Sequence, residues 1–154
     1  MTESLPEDGF VLGGPLSSLQ VTVRLLGDEL DPDEITRLLG VTPIVAARKG
    51  DTVVRGSSSV TQRIGVWSYG LTEDASPDWE LEDAIVAVLG RLPGDLNLWS
   101  ELGARFSIDM FCGLFMGSGN QGADVSPSTL RLLADRGMRL GLDIYGPPLG
   151  DEAT

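Results

Sequence analysis

Residues 31–40 read Asp-Pro-Asp-Glu-Ile-Thr-Arg-Leu-Leu-Gly, a stretch that carries the signals for both ends of a short helix. The Asp31 side chain suits the N-cap. Pro32 suits the first helical position, because the first amides of a helix have no intrahelical partner. Gly40 suits the residue just after a helix, where the backbone often turns left-handed. The stretch therefore predicts a helix that runs through Leu39.

The same start signal recurs at Ser76-Pro77-Asp78 and at Ser126-Pro127-Ser128. Aliphatic residues at helical spacing follow each one, which predicts helices from Pro77 to about Leu92 and from Pro127 to Arg136. A further short helical turn is predicted at residues 97–102. The chain therefore has three main helices.

Strand signals lie between these helices. Alternation of apolar and polar residues is typical of half-buried strands, and Ile44–Ala47 is a further short extended segment. The alternating stretches are Leu19–Leu26, Thr61–Leu71, Ala104–Leu114 and Met138–Tyr145. Strand, helix and strand thus follow one another twice, which gives two β-α-β halves separated by an extra helix.

This order of elements predicts a single α+β domain at residues 18–146, between an acidic flexible tail at residues 1–17 and a C-terminal tail at residues 147–154. We expect an antiparallel or mixed sheet of four or more strands with the three main helices on one face, as in split β-α-β folds. A chain of 154 residues buries enough core to fold without a disulfide or a metal.

Composition excludes several classes of function. The chain has 23 acidic and 11 basic residues, a net charge of −12, no histidine and one cysteine. Such a charge repels nucleic-acid phosphates. Without histidine there is no His-based triad or metal site, and one cysteine forms neither a thiolate cluster nor an intramolecular disulfide. We therefore expect a non-catalytic protein with no cofactor and no metal.

The location of the protein is predicted from the same features. No apolar run is long enough to span a membrane, and the N-terminus lacks the basic start and apolar centre of a signal peptide. A single cysteine fits a reducing compartment. We expect a cytoplasmic protein with no membrane contact.

Three stretches of the sequence are characteristic in their combination and order: Gly27–Pro43; Arg48-Lys49-Gly50 with Trp67-Ser68; and Ser118–Gly122 with Ser126–Leu133 and Leu142–Tyr145. In these places the sequence resembles the domain of unknown function 4279 family, across roughly Leu19 to Tyr145. The resemblance implies a small bacterial protein of uncharacterised role, and it supplies no catalytic residues.

A glycine-rich loop follows the third strand. Its sequence, Gly117-Ser118-Gly119-Asn120-Gln121-Gly122, matches G-x-G-x-x-G. In a dinucleotide fold those glycines lead directly into a helix, whereas here the helix starts about four residues too late and no long parallel series surrounds it. Two interpretations stay open: a flexible connecting loop, or a loop whose free amides hold a partner's carboxylate or backbone. The candidate loop residues are Gly117, Gly119, Asn120 and Gly122.

Aromatic and charged residues indicate a candidate interaction surface. Trp67 and Tyr69 share one face of the second strand, and Arg24, Arg139 and Asp143 point outward from the others. If the helices cover one face, the opposite face is a candidate binding or homodimer surface, because Tyr, Trp and Arg are frequent interface anchors. The alternative, that Trp67 belongs to the core, stays open.

Two acidic blocks are candidate contacts for a basic partner. They are residues 28–34 and residues 73–83, the second of which contains Asp74, Asp78 and Glu82. The alternative interpretation is that both are solvated helix starts.

The leading hypothesis is a small acidic interaction module without enzymatic activity, which binds another protein. An inhibitor or immunity-type partner of a basic protein is one form of it. The alternative is a small-ligand or anion-binding protein that uses the Gly117–Gly122 loop with Arg48 and Lys49. Cys112, which has apolar neighbours in its strand, is expected to be an inert buried thiol.

Overall fold

The computed structural model describes residues 16, 18–71, 80–117 and 119–147. These residues form four helices and seven strands, in agreement with the predicted α+β class. The elements are β1 (Ser18–Gly27), α1 (Pro32–Leu39), β2 (Val45–Ala47), β3 (Thr52–Arg55), β4 (Ser58–Thr61), β5 (Gly65–Leu71), α2 (Leu81–Leu89), α3 (Leu96–Arg105), β6 (Ser107–Phe115), α4 (Pro127–Asp135) and β7 (Arg139–Tyr145).

Five of the strands form one mixed sheet in the order β2-β5-β1-β6-β7. The central strand β1 is antiparallel to both β5 and β6, β2 is antiparallel to β5, and β6 is parallel to β7. Strands β3 and β4 form a separate hairpin. The predicted single α+β domain with a mixed sheet is confirmed.

The two halves of the fold differ in their topology. In the first half β1 and β2 run parallel with β5 between them, which is the split β-α-β arrangement. The short segment predicted at Ile44–Ala47 is therefore the second strand of that unit, and β5 returns between its strands after the β3–β4 hairpin. In the second half β6 and β7 are parallel neighbours joined by α4.

The core lies on one face of the sheet. Alternate residues of β1 point into it: Val21, Val23 and Leu25 are at most 1% exposed. Each of the four helices in the described part of the chain contributes to the same buried cluster, with Ile35, Ile85, Trp99 and Leu133 as members. The helices therefore cover this face, as predicted for the three main ones.

Two of the three predicted helix starts are confirmed. Asp31 accepts a hydrogen bond from the backbone N–H of Asp33 at 3.1 Å, and Pro32 is the first residue of α1. Gly40 closes α1 with a φ of 73°. Ser126 is the N-cap of α4.

The predicted start of the second helix is wrong. Helix α2 begins at Leu81 with Glu80 as its N-cap, and the Glu80 N–H donates to the carboxylate of Asp83 at 3.0 Å. This later pair of acidic residues supplies the local hydrogen bonds that the Ser76-Pro77 signal was expected to provide. Ser76 and Pro77 lie outside the described residues.

Helix α3 is a full helix where only a turn was predicted. Asp95 caps it by accepting from the N–H of Asn97, and Trp99 is fully buried with its indole Nε1 donating to the Pro93 carbonyl at 2.7 Å. Trp99 and Leu102 are the buried residues of this helix, a shorter apolar pattern than an aliphatic stripe along the whole helix. Local periodicity therefore gives only a weak signal for it.

Gly65 allows β5 to lie close against β1. A Cβ atom at Gly65 would come within 2.6 Å of the Gly27 carbonyl oxygen and 3.0 Å of Leu30 Cβ. The first contact is with backbone, which has no rotamer by which to move away. A side chain at this position is therefore excluded without a shift of the two strands.

We predict that Gly65→Ala destabilises the protein by about 1–3 kcal/mol because it overpacks this strand pair. Chemical denaturation monitored by circular dichroism measures the change. Gly103→Ala is the matched control: it lies in α3 with open space around it, and we expect a gain of about 0.5–1 kcal/mol. Equal stability of Gly65→Ala and the wild type would contradict the packing argument.

Candidate interaction surface

Trp67 and Tyr69 lie on the helix-covered face of the sheet, so their predicted place on the opposite face is wrong, and the alternative that Trp67 belongs to the core is the correct one. Trp67 pairs with Leu25, is 0% exposed, and donates its indole Nε1–H to Thr36 Oγ1 at 3.1 Å. Tyr69 pairs with Val23 on the same face and is half-buried against the core. Residues directly opposite in a sheet share a face, so the apolar side of β1 draws both rings inward.

The opposite side of the sheet, which we call the open face, carries a mixture of charged and aromatic side chains. None of the helices among the described residues covers it, since all of them pack on the other side. The side chains that define it below are half-buried or exposed. The residues that define the open face are Arg24, Asp109, Phe111, Phe115, Arg139, Asp143 and Tyr145.

An ion pair between neighbouring strands lies at the centre of the open face. Arg24 and Asp109 are directly opposite in the pairing of β1 with β6. The guanidinium donates twice to the carboxylate, at 2.9 Å and 2.6 Å, and its Cζ lies 4.2 Å from the ring centroid of Phe111. The hydrogen bond to Asp109 raises the pKa of Arg24. Arg24 is thereby held flat over an aromatic ring, a favourable cation–π arrangement.

A second ordered group lies at the end of strands β6 and β7. Phe115 and Tyr145 pair across these strands and their rings stack with centroids 4.6 Å apart and planes 5° apart. The Tyr145 hydroxyl donates to the carboxylate of Asp143 at 2.6 Å, and this hydrogen bond raises the pKa of Tyr145. The tyrosine ring is therefore fixed at both its face and its hydroxyl.

The candidate surface is thus partly right in its members. Arg24, Arg139 and Asp143 lie on the open face, and whether they bind a partner stays a prediction. The aromatic members are Phe111, Phe115 and Tyr145. Alternation in the sequence of β6 predicts that the two phenylalanines point outward, because the residues that alternate with them point into the core.

Glu82 is bound within the chain. Its Oε1 accepts from the Ser126 N–H at 2.8 Å, from Thr129 Oγ1 at 2.6 Å, and from the Ser126 hydroxyl. Hydrogen bonds from Ser126 and Thr129 lower the pKa of Glu82. The carboxylate therefore joins α2 to the start of α4 and is not presented to a partner as predicted. Asp74 and Asp78 lie outside the described residues.

Three acids of the first acidic block form ion pairs with the only adjacent basic pair in the sequence. Arg48 donates to Asp31 at 2.6 Å and to Asp33 at 3.1 Å, and Lys49 lies 3.3 Å from Asp28. Exposed pairs of this kind contribute little to stability. They do occupy the groups that were predicted to meet a basic partner or an anion.

The acidic excess is unevenly distributed along the chain. All 11 basic residues and fifteen of the 23 acidic residues belong to the described part, which leaves it with a formal charge of −4. The other eight acidic residues belong to segments 1–15, 72–79 and 148–154. The charge that would attract a basic partner is therefore concentrated in these three segments.

The glycine-rich loop does not lead into a helix that is ready for a phosphate. Gly117 donates its N–H to Gln121 Oε1 at 2.6 Å, and α4 begins only at Pro127. The Glu82 carboxylate already receives hydrogen bonds at that helix start, so an anion placed there would meet a negative charge. Gly119 and Asn120 are exposed, and ligand binding at this loop stays a prediction.

Comparison with known proteins identifies the family. A family model described as a domain of unknown function (DUF4279) matches residues 17–147. The chain belongs to the DUF4279 family. No curated protein and no solved structure matches it.

The described residues of this DUF4279 chain contain no group of three or more Asp, Glu, Cys or His side chains placed to hold a metal ion. Their helices include none that is long and apolar enough to cross a membrane.

We predict that Glu82→Gln lowers the thermal unfolding midpoint of the DUF4279 domain at neutral pH. A carboxylate whose pKa is lowered on folding stabilises the folded state above its unfolded pKa, and it loses that contribution as the pH falls through its folded pKa. The difference from wild type should therefore shrink as the pH falls from about 7 to about 3.

Glu101→Gln is the control, because Glu101 is an exposed carboxylate on α3. It should leave the midpoint nearly unchanged at neutral pH. If the Glu82→Gln deficit stayed constant with pH, the ionised carboxylate would not be the source of the stabilisation.

Proposed function

We propose that this DUF4279 protein is a non-catalytic protein-interaction module that binds another protein through the open face. The observation that carries the proposal is the preformed group of aromatic and arginine side chains on that face. Its ends are the Arg24–Phe111 stack and the Phe115–Tyr145 stack. Aromatic residues and arginine are the side chains that most often anchor protein interfaces.

The order of these side chains supports the proposal. Immobilising a flexible side chain on binding costs about 0.5–1.5 kcal/mol. Arg24 is already held by two hydrogen bonds, and Tyr145 by a ring stack and a hydrogen bond. These side chains therefore lose little further conformational entropy when a partner docks here, because they were already ordered on folding.

The state of the single cysteine supports the non-catalytic part. Burial raises the pKa of Cys112 to about 12. A thiol of that pKa is protonated at neutral pH and is a poor nucleophile. The same buried, reduced thiol accords with the cytoplasm as the proposed location.

A basic protein is the partner that the charge favours. The chain carries a net charge of −12, while the open face is balanced, with two arginines and two aspartates. Charge on the rest of the chain would accelerate the encounter, and the open face would make the contact. An inhibitor or immunity-type partner of a basic protein would use its net charge for attraction and a separate surface for contact in this way.

We predict that tagged protein captures a specific basic protein from a lysate of its source cells at low salt, and that Phe111→Ser abolishes the capture. Phe111 underlies Arg24 at the centre of the open face. Leu38→Ser is the matched control, since Leu38 is an exposed apolar residue on α1, on the helix side of the sheet. Mass spectrometry identifies the captured protein, and circular dichroism verifies that both variants fold.

Capture that is equal for wild type and Phe111→Ser would exclude the open face as the contact surface. Failure of the wild type to capture anything at low salt would overturn the interaction-module proposal itself. High salt should weaken the capture, because screening reduces the attraction between oppositely charged proteins.

A further inference from the structure

The two edges of the five-stranded sheet differ in length and in protection. Edge strand β2 has three residues, whereas edge strand β7 has seven. Strand β7 pairs with β6 in one continuous register, without a bulge, and contains neither proline nor lysine. Leu142 and Ile144 on this edge are 51% and 59% exposed. Natural proteins usually blunt a long edge strand with proline, lysine or other charged side chains, or a bulge; of these devices β7 has only the charged pair Arg139 and Asp143.

The backbone of β7 shows which groups face outward. The Tyr145 carbonyl accepts from the Met116 N–H and therefore points toward β6. Because successive residues of a strand point their N–H and C=O groups to opposite sides, Leu140, Leu142 and Ile144 present theirs to the outer edge. None of the strands in the described ranges pairs with that edge.

We propose that a second copy of this chain pairs with the outer edge of β7. The two β7 strands run antiparallel about a two-fold axis at Gly141, and the two sheets join into one continuous sheet. Leu140 of each copy then lies opposite the partner's Leu142 and exchanges backbone hydrogen bonds with it.

Charge complementarity favours a second copy of this chain as the partner of β7, and it favours the register centred on Gly141. Arg139 and Asp143 lie two residues on either side of Gly141 and point to the same face. About a two-fold axis at Gly141, Arg139 of each copy is directly opposite the partner's Asp143. They occupy a non-hydrogen-bonded pair, in which side chains come closest. A two-fold interface requires such self-complementarity.

Repulsion between two negatively charged copies does not prevent this pairing. Only −4 of the formal charge lies in the described part. At physiological ionic strength, repulsion between exposed charges more than about 8 Å apart is largely screened. The dimer leaves both open faces on the same side of the joined sheet, so it does not depend on the proposed function.

Sedimentation equilibrium at physiological ionic strength tests the proposal. We expect the wild type to dimerise, and we expect Arg139→Asp and Asp143→Arg each to weaken dimerisation at least tenfold, since like charges then face each other twice. An equimolar mixture of the two variants should dimerise again, because the acids of one then face the arginines of the other. Arg55→Asp and Glu101→Arg, charge reversals at exposed positions away from β7, should dimerise like the wild type.

Hydrogen exchange provides a second readout. The amides of Leu140, Leu142 and Ile144 should exchange slowly in the wild type and quickly in the Arg139→Asp variant. Slow exchange in a monomeric variant would mean that another segment of the chain covers the edge, which would overturn the proposal.

A wild type that remains monomeric would overturn the proposal, as would a dimer that Arg139→Asp and Asp143→Arg leave intact. Failure of the interaction-module proposal is distinguishable, because sedimentation of the purified protein reports self-association in the absence of any other protein, whereas capture from a lysate reports the partner.

Discussion

The fold depends on the pairing of β1 with a neighbour on each side. Because β5 and β6 both align with β1 in continuous register, the alternation of Val21, Val23 and Leu25 decides which side chains of three strands enter the core. A slip of one residue in either pairing would exchange the two faces of that neighbour. Burial of the β1 valines and leucine thus determines the composition of the open face as well as that of the core.

Local sequence signals were sufficient to locate an element wherever the residues that determine it lie within that element. The Asp31 and Ser126 caps, the Gly40 stop and the alternation in β1 and β6 act within a few residues, so the sequence alone locates these elements. The split arrangement of the first half is also predictable in type. Its second strand is the three-residue β2, too short to be distinguished from a loop by alternation.

The sequence-based interpretation failed where the deciding contact is tertiary. The strand that contains Trp67 is interrupted by Gly65 and Gly70, so its phase is fixed only by its pairing with β1. The sequence around Glu82 predicts a surface acid, because the hydrogen-bond donors of its carboxylate lie more than forty residues away, at the start of α4. The same holds for the paired acids of the first block. Their partner Arg48 lies just after β2, so the contact forms only once the chain has folded back.

These contacts also change the meaning of the charge. Much of the acidity in the described part serves as caps and as partners for Arg24, Arg48, Lys49 and Arg105, which makes it internal to the fold. The open face itself is near neutral, because it carries equal numbers of arginines and aspartates. Two of its aromatic rings are already stacked on each other. A surface of this kind discriminates by shape and by the positions of its rings, whereas net charge controls how often a partner arrives. In the interaction proposed above, recognition would therefore belong to the ordered sheet face and attraction to the acidic remainder of the chain.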